Sequence, residues 1–241
     1  MMAKAPSGGS FTPASLTNLI LWGEADTNTY TDTGGTTLCT TDGDNLKNWK
    51  DLSGAGSNLV WPSVLVAPVY KTNLANSKPG CRFSSGLDDL LDSAQANNQK
   101  PISAAAVVRV TDVTANGTIF EGNSGTGGFA LDISASHFRA LSAFVALIGG
   151  STATLVNNTF YIVVFTYDSS GNYAFTLNGS ADGSGTNNMT FSNTGTRIGC
   201  NNATSGGFLD GDLLAFAKGS AVWTGTEITN LTNYWKSKYG L

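Results

Sequence analysis

The sequence predicts an all-β fold, two antiparallel sheets packed as a sandwich and closed by one short C-terminal α-helix. Three observations predict it. Short apolar runs recur along the 241 residues, separated by clusters of Gly, Asn, Asp, Ser and Thr, the pattern of many strands joined by turns. Several runs alternate large apolar with small or polar residues at period two, as half-buried strands do. Helical spacing is found in one place only, near the end of the chain.

The clearest runs are 19–22, 104–110, 117–120, 129–133, 138–148, 160–167, 173–177, 196–200 and 213–217. Residues 173–177 alternate strictly, whereas Tyr161-Ile-Val-Val-Phe165 is apolar throughout and β-branched, which suits a central strand covered on both faces. Turn chemistry separates them at Asp168-Ser-Ser-Gly-Asn172 and Asn178-Gly179. Near the end, Thr224-Gly-Thr-Glu227 reads as a capping box. Ile228, Leu231 and Trp235 then form one apolar stripe, Lys236 and Lys238 suit the negative helix end, and Gly240 suits the C-terminal cap. Residues 1–15, small and Pro-containing, read as a flexible arm before a single domain over 16–241.

Composition excludes several partners. Only 12% of residues are charged, and Ser, Thr and Asn number 24, 29 and 22, so neutral polar groups wet the surface. With 13 Lys and Arg against 17 Asp and Glu, and no basic cluster, nucleic acid is excluded. A spanning helix needs about 20 consecutive apolar residues. No stretch reaches half of that, so no membrane is expected either. The start has no apolar core of a secretion signal, which implies synthesis in the cytosol. Cys39, Cys81 and Cys200 read as three separate buried thiols, with one bridge as the alternative.

The order of motifs resembles the concanavalin A-like lectin/glucanase superfamily, in the laminin G-like branch found in bacterial and phage surface proteins. The resemblance rests on Leu21-Trp22-Gly-Glu-Ala-Asp26, Trp49-Lys-Asp51-Leu-Ser53-Gly54-Ala-Gly56, Pro68-Val-Tyr70 and Arg82-Phe83-Ser-Ser-Gly86-Leu-Asp88-Asp89-Leu90-Leu91. It continues through 160–168, Leu177-Asn178-Gly179, Arg197-Ile198-Gly199, 208–215 and the closing Lys238-Tyr239-Gly240-Leu241. It implies a jelly roll over 16–241. Phe216 stands where relatives often carry an acidic residue. In these motifs Trp22 and Trp49 read as rim anchors, Gly54, Gly56 and Gly86 as positive-φ turns, and Asp51, Asp88 and Asp89 as acceptors for loop amides.

Glucanases of this superfamily carry three carboxylates on one strand. Glu24-Ala-Asp26 matches the first two, but Asn28 and Thr29 stand where the third belongs, so no enzyme is expected. His137, the single histidine, reads as a plain polar residue on a strand edge. No cofactor is required. The one left open is Ca²⁺, on Asp42, Asp44, Asp210 and Asp212. Sugar binding needs an aromatic face beside amides and carboxylates. The candidates are Tyr30, Trp61 and Tyr70 for stacking, with Asn123, Asn187, Asn188, Asn201 and Asn202 for hydrogen bonds.

The function expected is therefore a non-enzymatic surface recognition or decoration module. It would sit on a phage capsid or tail, or be otherwise extracellular, and bind glycans or host surface polysaccharide. The arm would contact capsid or tail proteins. The alternatives are a structural cementing protein and a β-glucanase-like hydrolase.

Overall fold

The computed structural model describes residues 11–63, 66–84, 91–93, 98–122, 128–142, 146–193, 195–200 and 207–241. The expected two-layer β architecture with one C-terminal helix is present: an eight-stranded and a nine-stranded antiparallel sheet face one another, with a two-stranded ribbon beside them. In the eight-stranded sheet the order runs Ser180–Thr186, Asn172–Leu177, Phe160–Tyr167, Ile102–Val110, Gly211–Gly219. The far side of Gly211–Gly219 is shared by two strands. Lys78–Phe83 pairs with its first residues and Leu19–Glu24 with its last, and Val69–Ala75 flanks Lys78–Phe83 at the edge. The nine-stranded sheet runs from Ala146–Gly150 through Phe129–Ser134 and Gly117–Glu121 to the short Asn48–Trp49 and Thr29–Tyr30.

Strand periodicity builds two cores. Val163 and Phe165 point between the sheets with Trp49, Phe120, Phe129 and Phe216, while Ile162 and Val164 point to the outer face. Strand Phe160–Tyr167 is thus covered on both sides, as its unbroken apolar run requires. On the outer face Ala105, Ala215 and Ala217 make a shallow floor that accommodates Trp223, Leu231, Trp235 and Tyr239. The run 138–148 becomes two strands, His137–Ser142 and Ala146–Gly150, paired as a hairpin. Strands Val69–Ala75 and Lys78–Phe83 carry no strong apolar run and emerge only through pairing.

The scaffold readings hold for the Asp51 loop, whereas Trp49 needs correction: it is fully buried between the sheets against Phe216 and not at their rim. The Asp51 carboxylate accepts the amides of Trp22 at 3.0 Å, Ser53 at 2.8 Å and Ser57 at 3.1 Å, which fixes the loop that Gly54 and Gly56 turn at φ +86° and +75°. Among the described residues, neither Trp22 nor Trp49 finds an oxygen for its indole N–H. Gly86, Asp88 and Asp89 lie outside the described residues. All three cysteines are buried, and none is joined to another by a disulfide. Residues 11–15 depart from the expected arm: Phe11 meets the Tyr234 ring edge-on at 6.2 Å, and Pro13 is buried in a 3₁₀ turn. Aromatic contact with the helix wins over the local flexibility that the composition implies.

The helix Gly225–Tyr239 has the ends its sequence specifies: the Thr224–Glu227 capping box, and Gly240 as a left-handed C-cap at φ +68°. Among the described residues, no helix is long and apolar enough to cross a membrane. Glu227 also accepts the Thr17 amide at 2.7 Å, tying the first residues of the domain to the last helix. Partial burial works to raise this carboxyl, but the amides of Thr224 and Thr17 override it and hold the pKa at about 2. An unfolded Glu titrates near 4.3, so its stabilisation is complete above that value and lost as pH falls toward the folded pKa. Wild-type thermal midpoints should therefore drop between about pH 4.5 and 2. Glu227→Gln should flatten that segment of the profile, at a cost of about 1 kcal/mol at neutral pH.

Candidate functional site

The C-terminal helix presents two faces. Leu231, Trp235 and Tyr239 are buried on the sheet. Asn230, Asn233, Tyr234 and Ser237 fall at i, i+3, i+4 and i+7 and line a cavity of about 700 Å³ beside it. The opposite wall comes from distant segments. Asn76 projects from a two-residue turn whose central residues, Asn76 and Ser77, have φ +48° and +57°, the type I′ geometry that joins twisted antiparallel strands. Its Nδ2 donates to the Lys238 carbonyl at 3.1 Å, which locks the turn to the helix end. Phe11 and Tyr234 supply an aromatic wall.

Under this cavity lies a partly buried ionic cluster. Glu24, 3% exposed, accepts the Trp235 indole N–H at 3.2 Å, the Tyr234 hydroxyl at 3.2 Å and the Lys238 ammonium at 2.7 Å. Lys238 also reaches Asp26 at 2.8 Å, and Asp26 meets Lys78 at 3.4 Å. Burial pulls Lys238 toward its neutral form. Hydrogen bonds to Asp26 and Glu24 more than reverse this, so its pKa lies above the ordinary lysine value. Two carboxylates balance two ammoniums, leaving a cavity with no net charge but many hydrogen-bonding groups. Register explains the placement: Glu24 pairs with Ala215, whose side chain belongs to the helix-covered face. The two carboxylates that match a glucanase motif thus serve as the clamp for the helix.

Among the described residues, none of the predicted sugar contacts lines this cavity. Tyr30 is partly exposed, with the Lys50 ammonium 4.5 Å above its ring. Trp61 packs partly on the inner core, with Lys47 5.1 Å from its ring. Tyr70 needs correction: it is buried among the core side chains, and burial pushes its phenol up to about 12, so its ring offers no sugar face. The Asn187 amide donates to the Leu147 carbonyl at 2.7 Å, and Asn188 accepts Lys100, so both hold loops. Asn123, Asn201 and Asn202 lie outside the described residues. His137 sets its Nδ1 3.0 Å from the Ala153 carbonyl, a local edge contact.

The proposed calcium ligands do not assemble either. Asp42 pairs with Lys71, and Asp44 accepts the Thr40 and Thr41 amides at 2.9 Å each. Asp212 is engaged by Arg82 at 2.8 Å and by Arg109, with Asp210 beside them. Among the described residues, no three His, Cys, Asp or Glu side chains gather to hold a metal. The Lys71 ammonium, backbone amides and two guanidiniums occupy the oxygens of Asp42, Asp44 and Asp212 that a hard cation would need. In sequence the one legible sign of the real cavity was the polar i, i+3, i+4, i+7 stripe on the helix; Phe11, Asp26, Asn76 and Lys78 join it only through folding.

A family model described as the concanavalin A-like lectin/glucanases superfamily, of laminin G type, matches residues 86–229. Among solved structures, the botulinum neurotoxin type G receptor-binding domain superposes with a TM-score of 0.61 at 15% identity, covering 91% of this chain and 52% of that one. The botulinum neurotoxin serotype D ligand-binding domain, solved in complex with N-acetylneuraminic acid, gives 0.61 at 14% identity, covering 92% and 52%. The binding domain of Paraclostridial mosquitocidal protein 1 gives 0.61 at 12%, covering 93% and 53%. The chain spans about half the length of these structures, and at such identities the likeness is one of fold. No curated protein matches the sequence. With a family match over more than half of its length and the two-sheet architecture that the family implies, the chain belongs to the concanavalin A-like lectin/glucanases superfamily, in its laminin G-like branch.

Proposed function

We propose that this domain is a non-enzymatic glycan-recognition module whose sugar site is the cavity beside the C-terminal helix. One observation carries the reading. An aromatic wall, three amides, a serine hydroxyl and a charge-balanced ionic floor converge there. Aromatic faces cover the C–H surface of a sugar, and amides and hydroxyls satisfy its hydroxyl groups in both donor and acceptor roles. The absence of net charge fits a neutral saccharide. The serotype D domain in complex with N-acetylneuraminic acid, an acidic sugar held by a protein containing the same fold, supports a saccharide as the ligand and says nothing of its charge.

Single sites of this kind bind weakly and gain strength through many copies. The test is a glycan array probed with a multimerised domain. Wild type should retain a subset of neutral glycans, and Asn233→Ala, which alters an exposed side chain, should weaken that signal at least tenfold with an unchanged melting temperature. No retained glycan at high density, or equal retention by the variant, would refute the assignment. We further place the module on a phage particle surface, on the strength of its low-charge, Asn-, Thr-, Ser- and Gly-rich composition. Mass spectrometry of purified particles should find this chain; its absence would remove that placement.

A further inference from the structure

We propose that a second, smaller cavity, formed by Arg82 and Arg109 around the buried Asp212, binds a single carboxylated sugar such as a hexuronate. It lies on the outer face of the eight-stranded sheet, where Arg82, Asp212 and Arg109 stand opposite one another on three neighbouring strands. Its volume is about 260 Å³, below the range of drug-sized sites and suited to one ring.

The floor is preorganised. Asp212, 2% exposed, accepts Arg82 Nε at 2.8 Å and Nη2 at 3.2 Å, and Arg109 Nε at 2.9 Å together with Arg109 Nη2. A guanidinium carries five N–H donors, and these contacts leave the Nη1 amino group of each arginine uncommitted to Asp212. Arg109 is further fixed over the Phe160 ring at 4.7 Å. The two rigid forks therefore need little ordering on binding, and against one carboxylate they leave a single positive charge on the floor. Close strand approach sets their spacing. A Cβ at Gly211 would fall 2.0 Å from the Arg109 carbonyl oxygen, so only glycine is tolerated beside Asp212.

The rim has the opposite character. Asp210, Asn158 and Thr111 line it, offering a carboxylate, an amide and a hydroxyl. A bare phosphate or acetate would meet the floor, but the repulsion that Asp210 exerts on any anion there would have no sugar hydroxyls donated to Asp210 to offset it. A uronate satisfies both levels, its carboxylate on the arginines and its hydroxyls donating to Asp210 and pairing with Asn158 and Thr111. Cationic floor and anionic rim together select a ligand with one acid group and several hydroxyls.

The experiment titrates the full chain with glucuronate, glucose, acetate and phosphate, observing the arginine Nε–H signals by NMR. Glucuronate should shift the Arg82 and Arg109 signals and bind at least tenfold more tightly than the other three. Arg82→Gln should abolish that preference. Asp210→Asn, at the half-buried rim position, should weaken glucuronate at least threefold while leaving acetate unchanged or stronger, and it stands as the test should Arg82→Gln fold poorly. Asn233→Ala, in the other cavity, should change nothing here, so the two assignments stand or fall separately. Equal affinity for glucose, equal affinity for acetate or phosphate, or insensitivity to Asp210→Asn would each overturn the proposal.

Discussion

Replacing Glu24 by alanine is expected to destabilise the fold by about 3 kcal/mol, a fall of about 10 °C in the thermal midpoint for a chain of this size. The reason is the position of this carboxylate. It is 3% exposed and answers three donors from the C-terminal helix, of which the Trp235 indole is fully buried. Without it the indole N–H has no acceptor, and Lys238 keeps only Asp26 against its own desolvation. The lower end of the range for a broken buried pair applies because Asp26 remains. A cycle with Lys238→Met should show coupling between the two sites, since the double variant removes the stranded charge along with its partner. A loss for Glu24→Ala under about 1 kcal/mol, the centre of the range for any substitution, would show that the helix is held by its apolar face alone.

Gly23→Ala, adding one methyl next door, should cost a similar amount by a different route. An alanine Cβ would lie 2.3 Å from Phe216 Cζ and 2.8 Å from Trp49 Nε1. Phe216 cannot withdraw: its ring stands edge-on to Trp49 at 4.8 Å and to Phe120 at 6.1 Å, all three fully buried. Overpacking a core of this density costs about 3 kcal/mol at the upper end of the usual range. Denaturant unfolding should show the loss in the midpoint with an unchanged slope, and Phe216→Leu should recover part of it in the double variant. A Gly23→Ala protein within about 0.5 kcal/mol of wild type would mean that strand Leu19–Glu24 shifts freely, against the register observed.

The helix is the element most completely legible in the sequence. Thr224, Glu227 and Gly240 act on backbone groups within about four residues, so the signal and its effect share one short window. The central strands are nearly as clear because both of their faces are apolar. Strand Lys78–Phe83 is not, since Pro79 lies within it and its Asn76-Ser77 turn lacks the usual glycine. Pro79 is accommodated at the register shift between Lys71 and Ala75, where no ladder amide is required of it. The cavity residues were harder still. Tyr70 and Tyr234 are the same residue type, yet one fills the core and the other lines the opening.

By itself the sequence determined the layered β architecture, the capped final helix, the scaffold role of the Asp51 loop and the superfamily. Those properties arise from periodicity and near-neighbour hydrogen bonds, which the order of residues records directly. Tertiary structure alone decided what each carboxylate does. Glu24 meets an ammonium 214 residues away, and Asp212 meets guanidiniums 130 and 103 residues away. Charge interactions depend on separation in space and on exclusion of water, and neither is written in the spacing of residues along a chain.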